Sequence, residues 1–133
     1  MYVRRRALAR RLQLKAGQQA VVIGAPPGYA NELGVEVSTG LAGRPDASAE
    51  FIQMFVKSSR GVEDLVPAVL RVLRHDGLLW ISYPKGTSKV KTDLNRDILW
   101  KAMERFGLAG VSMVSIDGVW SAMRFRPLDR VGR

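Results

Sequence analysis

Short apolar runs alternate along this chain with helical patterns, and that alternation restricts the fold more than any other feature. Ala20-Val21-Val22-Ile23, Phe51 to Val56 and Leu78 to Tyr83 read as strands. The first is apolar without a break, as expected of a central strand covered on both faces. Between the last two, Leu65, Val69, Val72 and Leu73 recur at helical spacing and predict a helix over Val62 to Arg74, which Ser58-Ser59 is placed to cap. Pro67 belongs in the first turn of such a helix, or kinks it. Leu94, Ile98, Ala102 and Phe106 mark a second helix face ending at Gly107, with Thr92 as N-cap and Asp93 favourable to the helix dipole. Strands alternating with helices predict an α/β fold of three layers around a mainly parallel sheet.

The two ends extend this pattern. Residues 3–13 read as a short basic helix whose Leu8 and Leu12, four apart, dock on the sheet, with Gly17 suited to the left-handed cap that follows. Asp117-Gly118 separates Val111–Ile116 from Val119–Phe125 and predicts a C-terminal antiparallel hairpin. Val35-Glu36-Val37 reads as a short strand, residues 38–48 as a mobile loop, and His75-Asp76-Gly77 as a helix-to-strand turn. A chain of 133 residues without repeats or linkers suits a single domain over 1–133.

Composition removes several function classes. The absence of Cys excludes disulfides, thiolate metal sites and Cys nucleophiles, and a single His excludes His-rich metal sites. No stretch approaches 18 apolar residues, so no membrane span is expected. Ala7-Leu8-Ala9 runs at once into Arg10-Arg11, which denies the basic start the apolar core of a secretory signal. A cytoplasmic protein is expected.

Charge is the marked departure from average: 21 Lys and Arg against 12 Asp and Glu give +9. Arg4, Arg5, Arg6, Arg10 and Arg11 form a candidate surface for nucleic acid or an acidic partner, and Arg124, Arg126, Arg130 and Arg133 make a C-terminal cluster. A third cluster lies in Pro84 to Lys91, the loop after an apolar strand. It fails the phosphate-loop pattern, because Lys85 precedes Gly86 and no Gly stands at the required distance before it. It still offers an anion site of Lys85, Gly86, Thr87, Ser88, Lys89 and Lys91, feeding a helix that starts at Thr92. Lys57 and Ser58, just after Val56, and the turn residues Gly24, Ala25, Gly28 and Tyr29 complete the candidate ligand-binding set. No catalytic residue is assigned. His75 sits in a connector, and Asp93 and Asp97 have Arg96 and Lys101 near enough to pair with them. Trp80 is expected in the core and Trp120 in packing near the ligand crevice. Trp100 falls off the apolar helix face, either exposed to a partner or buried under the N-terminal helix.

Several segments carry a family resemblance. "LKAGQQAVVIGAP" is similar to the first strand of S-adenosylmethionine-dependent methyltransferases, "LVPAVLRVLRHDGLLWISYP" to their helix-to-strand segment ahead of the fifth strand, and "FGLAGVSMVSIDGVWSAMRFRP" to their closing hairpin. More narrowly, "LARRLQLKAGQ", "GAPPGY", "LLWISYPKG", "KTDLNRDILW" and "VWSAMRF" resemble a small bacterial family known as a domain of unknown function. The resemblance implies a reduced Rossmann-like, methyltransferase-like sheet and no assigned activity. Two departures stand against a working cofactor site. Pro26 and Pro27 remove two amide donors from the turn, and no acid follows Val37 to hold a ribose. Eleven residues between Ile23 and Val35 are also short for a crossover helix. The resulting expectation is a non-catalytic binding or regulatory module for an anionic small molecule or acidic macromolecule, with no cofactor. The alternatives are a minimal methyltransferase binding S-adenosylmethionine at Gly24 to Tyr29, and a nucleic-acid-binding accessory protein.

Overall fold

The computed structural model describes residues 2–131, with side chains described from Ala7 to Val131. Arg133 therefore lies outside the described residues, as do the side chains of Arg4, Arg5 and Arg6. In chain order the elements are α1 (Tyr2–Arg11), β1 (Ala20–Ile23), α2 (Tyr29–Glu32), β2 (Ala49–Phe55), α3 (Ser59–Val72), β3 (Leu73–Pro84), α4 (Arg96–Glu104), β4 (Leu108–Ser115) and β5 (Trp120–Pro127). A 3₁₀ turn over Leu128–Arg130 closes the chain. The strands form one sheet in the order β1-β2-β3-β5-β4. The β1–β2 and β2–β3 pairs are parallel, and β5 is antiparallel to both β3 and β4, so it alone runs against the other four. This is the expected three-layer, mainly parallel sheet ending in a hairpin.

The pleat divides the sheet's side chains into two cores. Val21, Ile52, Met54, Leu79, Ile81, Met123 and Phe125 face α3 and α4. Val22, Phe51, Phe55, Trp80, Trp120 and Ala122 face α1 and α2. Trp80, 1% exposed, donates its indole N–H to the Leu12 carbonyl at 2.9 Å and so pins the end of α1 to β3. Leu12 is fully buried beside it and Leu8 partly so, as their spacing requires. Among the described residues no helix is long and apolar enough to cross a membrane.

Several local expectations are corrected. The left-handed cap after α1 is Gln13 (φ 62), not Gly17: Gln13 N donates to Arg10 O and Leu14 N to Ala9 O, the paired bonds of a Schellman motif. The second helix begins at Arg96 under Asn95, whose Oδ1 accepts from Ile98 N. Thr92 and Asp93 instead fasten the loop to the end of β2 and the start of α3, through Lys57 O and Ser59 N. With the later start the buried stripe becomes Leu94, Leu99, Ala102 and Met103, and Ile98 is left 41% exposed. Asp97 does lie beside Arg96, at 3.5 Å. Ser58 caps α3 as expected, but one turn earlier than the apolar stripe suggests, so Pro67 falls mid-helix on its exposed side. Val35–Val37 forms no strand; one parallel bridge, Val21 to Ser38, is all that pairs with the outer side of β1.

Candidate functional site

Open α/β sheets bind ligands beyond the carboxyl ends of their strands, and here those ends carry most of the residues singled out above. β1 leads into Gly24-Ala25-Pro26-Pro27-Gly28, then the single helical turn α2. Gly24 (φ 70) and Gly28 (φ 84) both take left-handed backbone. Gly24 has a second reason to be glycine: a Cβ there would lie 3.0 Å from the Phe55 carbonyl oxygen. The turn is pressed against the end of β2 as closely as backbone allows. Beside it opens a cavity of about 370 Å³, lined by Val22, Gly24, Ala25, Pro26, Gly28, Ala30, Asn31 and Thr39. That size lies within the range of roughly 300–1,000 Å³ usual for small-molecule sites.

The floor beside this turn is a buried polar chain on the α1/α2 face. The Tyr29 hydroxyl donates to Gln53 Oε1 at 2.9 Å, and Gln53 Nε2 donates to Ser82 Oγ at 2.9 Å. Gln53 and Ser82 are both fully buried. Burial pushes the Tyr29 hydroxyl well above the ordinary tyrosine range, with the charges of Asp117 and Glu32 adding to it. Tyr29 therefore stays a hydrogen-bond donor at any physiological pH. Its ring meets Phe55 edge-on at 4.8 Å, and Phe55 meets Trp120 edge-on at 5.0 Å. Sequence reasoning named Tyr29 but missed Gln53. A polar residue inside an apolar strand was the available signal, since a buried amide must find partners.

The second candidate set lies beyond this aromatic stack. The loop after β3 closes on itself, with Ser88 Oγ donating to Lys85 O and accepting from Val90 N. Lys85 N donates to Val119 O, and its Nζ reaches Ser115 Oγ at 2.7 Å. Gly86, Thr87, Lys89 and Lys91 are exposed. The loop does not feed the N-terminus of α4, because three residues and then the Asn95 cap follow Lys91. Ser58 is spent on the Gly61 amide, while Lys57 is exposed. Trp100 is 38% exposed and lies over Gly110 on β4, where a Cβ would meet its ring at 3.0 Å. Neither partner surface nor burial under α1 describes it fully. His75 is exposed at the opposite end of β3, far from the crevice in strand direction. Among the described residues no His, Asp and Glu cluster could hold a metal ion.

Whether the crevice suits S-adenosylmethionine turns on what its wall offers. The amides of Ala25 and Gly28 donate to no protein acceptor among the described residues. Asn31 and Thr39 add neutral polar side chains. No acid stands directly after the Ser38 bridge; Glu36 lines two neighbouring depressions, one beside Gln19 and Arg44 and one that shares Ala30 and Asn31 with the cavity wall. The wall therefore fits a backbone-held cofactor whose ribose meets an amide and a hydroxyl. The short link also proves longer than it reads: the pairing residue is Ser38, so fourteen residues, 24–37, make the crossover. One helical turn suffices because a single bridge has to be reached.

No family model matches the chain, and no curated protein sequence matches it. Solved structures do. A SAM-dependent methyltransferase from Aquifex aeolicus aligns with a TM-score of 0.67 at 15% identity, over 91% of this chain and 88% of that one. A S-adenosylmethionine-dependent methyltransferase from Mesorhizobium loti aligns at 0.62 and 12%, over 92% and 97%. A putative type 11 methyltransferase from Sulfolobus solfataricus aligns at 0.61 and 13%, over 90% and 89%. Identities this low speak for the fold. The matches also correct the expectation of a non-catalytic, cofactor-free module: solved methyltransferases share this architecture over nine-tenths of the chain, which favours that alternative. The chain has the methyltransferase-like Rossmann fold, pared down on the far side of β1.

Proposed function

We propose that this protein is an S-adenosylmethionine-dependent methyltransferase of abbreviated build, binding its cofactor against the Gly24–Tyr29 turn. The observation that carries the reading is the Gly24 turn itself. It lies at the carboxyl end of β1, is held by positive φ and by the Phe55 carbonyl, and presents two unspent amides to a ligand-sized cavity. The full-length likeness to methyltransferases supports it. Kinship with the small bacterial family remains part of this reading, resting on the motifs quoted for it.

Residue roles follow from the wall. Ala25 and Gly28 amides would take the cofactor's carboxylate or another anionic edge, and Thr39 and Asn31 its ribose hydroxyls. When bound, the cofactor supplies an electrophilic methyl on a sulfonium. The Tyr29–Gln53–Ser82 chain holds the turn in place and excludes water from beneath it. None of the cavity-lining residues titrates, so the protein's contribution is positioning and desolvation rather than proton abstraction. The methyl acceptor must then be unprotonated at neutral pH without help from these residues, as an aromatic ring nitrogen is.

The test is a thermal melt of the full chain with S-adenosylmethionine from micromolar to millimolar. A ligand that binds only the folded state raises the melting temperature with a saturating dose dependence. A flat response across that range overturns the reading.

A further inference from the structure

We infer that the rim along the carboxyl ends of β3 and β4, built from Arg11, Lys85, Lys89 and Lys91, binds the phosphodiester backbone of a single-stranded nucleic acid. As a statement of substrate class this rests on the methyltransferase reading; as a binding surface it stands on the following geometry.

Ser115 ends β4 on the same side of the sheet as the end of β3, because the two strands run in the same direction. Two cations from distant parts of the chain converge on it. Arg11 Nη2 donates to the Ser115 carbonyl at 2.7 Å, and Lys85 Nζ to the Ser115 hydroxyl at 2.7 Å. Holding two like charges on one residue costs free energy unless an anion meets them. No acid of the described residues pairs with either. The six ion pairs among those residues use Arg60, Arg71, Arg74, Arg96, Arg105 and Arg126 instead. The nearest hairpin acid, Asp117, turns its Oδ1 to the Val119 and Trp120 amides. Exposed Lys89 and Lys91 continue the cationic rim along the same loop, and exposed Arg10 along α1.

The shape of this charge favours a strand over a small anion. The cations are spread along a helix end and an open loop instead of converging into a pocket, which suits a repeating polyanion. A membrane surface fits less well. The large apolar side chains exposed on the described surface are Ile98, Trp100, Val111, Met113 and Leu128, and none belongs to α1 or to the loop after β3. Among the described residues the rim offers no anchoring apolar contact.

The experiment measures fluorescence anisotropy of dye-labelled 20-mers of oligo-U and oligo-dT with the full chain, from 50 to 200 mM KCl. Binding should weaken with salt at a logarithmic slope of about −0.7 for each phosphate contacted. The double variant Arg11→Gln, Lys85→Gln should lose about 1.4 from that slope and bind roughly tenfold more weakly. The double variant Arg71→Gln, Arg105→Gln removes the same charge at the other end of the sheet and should bind within twofold of the parent. A preference for oligo-U would name RNA as the source, and equal binding a backbone reader; both support the surface. No binding of either strand at 50 mM KCl overturns it, as does equal weakening by the two double variants. Thermal melts of the Arg11→Gln, Lys85→Gln variant with S-adenosylmethionine separate the two hypotheses. A retained cofactor response with lost strand binding supports the rim, whereas strand binding without any cofactor response sinks only the methyltransferase reading.

Discussion

Gly24 faces the carbonyl of Phe55 with no room between them for a side chain: a Cβ on Gly24 would lie 3.0 Å from that oxygen. The contact ties the turn after β1 to the end of β2, and φ of 70 makes glycine doubly required. Gly24→Ala should therefore destabilise the fold by about 1–2 kcal/mol from backbone strain alone. It should also weaken S-adenosylmethionine binding at least tenfold, because relief of the contact swings the cavity wall. Gly28→Ala has the same left-handed backbone (φ 84) but nothing within 4 Å of its Cβ. It should cost similar stability and less affinity. Isothermal titration and melts of both variants check this; equal affinity losses would show that the Phe55 contact does not shape the site.

Gln53 is the hub of the buried polar chain, so its loss and the loss of Tyr29 should not add. Gln53→Leu leaves the Tyr29 and Ser82 hydroxyls without the partners they now have, at a cost of about 2–3 kcal/mol. Tyr29→Phe leaves Gln53 Oε1 unsatisfied, at about 1–3 kcal/mol. With both replaced, the Tyr29–Gln53 mismatch disappears, and the double variant should be at least 1 kcal/mol more stable than the sum of singles predicts. Urea denaturation of the four proteins completes the cycle, and strict additivity would break the claimed coupling.

What could be read from residues alone was set by how local each determinant is. The strands and α3 were legible because apolar periodicity is local, as was the hairpin at Asp117-Gly118, whose carboxylate caps Val119 and Trp120. The start of α4 was not. Thr92 is a good cap by type, but its hydroxyl is engaged by Lys57 O and the Leu94 amide, and Asn95 caps the helix instead. The register of α4 then shifted by one, exposing Ile98 and burying Leu99. The candidate site was half legible. Gly24 and Gly28 announce a turn, but the return of the chain at Ser38 depends on a single bridge that no periodicity records. That bridge lengthened the crossover, and with it went the length objection to a cofactor site, while Pro26, Pro27 and the missing acid stand as read.

Thr39 stands just past that bridge, on the cavity wall, where nucleotide-binding sheets place an acid for the ribose. Thr39→Asp should tighten S-adenosylmethionine binding by about fivefold to tenfold, the worth of a charge-assisted hydrogen bond over a neutral one. Titration calorimetry of the variant gives the answer. Weaker binding would mean that the ribose does not lie against Thr39.

Asp76 and Arg126 form a bidentate pair, with Nε to Oδ1 at 2.9 Å and Nη2 to Oδ2 at 2.6 Å, that closes the bulged start of β3 against β5. The Arg126 hydrogen bonds hold the Asp76 carboxyl below the usual carboxylate range, against the opposing effect of burial. A depressed folded-state pKa contributes stability that is present above the unfolded value of about 3.9 and is lost as pH falls through the folded value. The melting temperature should thus fall from about pH 4 downward. Asp76→Asn, chosen because Asn tolerates the left-handed backbone at this position (φ 56), should flatten that part of the profile. An identical acid limb in the variant would assign the loss to other carboxylates.

Gln13 takes the left-handed position of the Schellman motif after α1, a conformation that costs a residue with a Cβ about 1–2 kcal/mol relative to glycine. Its side chain is exposed, and the motif's bonds, Gln13 N to Arg10 O and Leu14 N to Ala9 O, need no side chain at all. Gln13→Gly should therefore stabilise the protein, by about 1 kcal/mol once the greater freedom of glycine in the unfolded chain is subtracted. For a domain of this size that corresponds to a melting temperature about 3–5 °C higher. Gly17 also has positive φ (88), with nothing within 4 Å of where a Cβ would sit, so Gly17→Ala should move the melt the other way. Differential scanning calorimetry of the two variants decides where α1 is capped. A destabilised Gln13→Gly beside a destabilised Gly17→Ala would return the cap to Gly17.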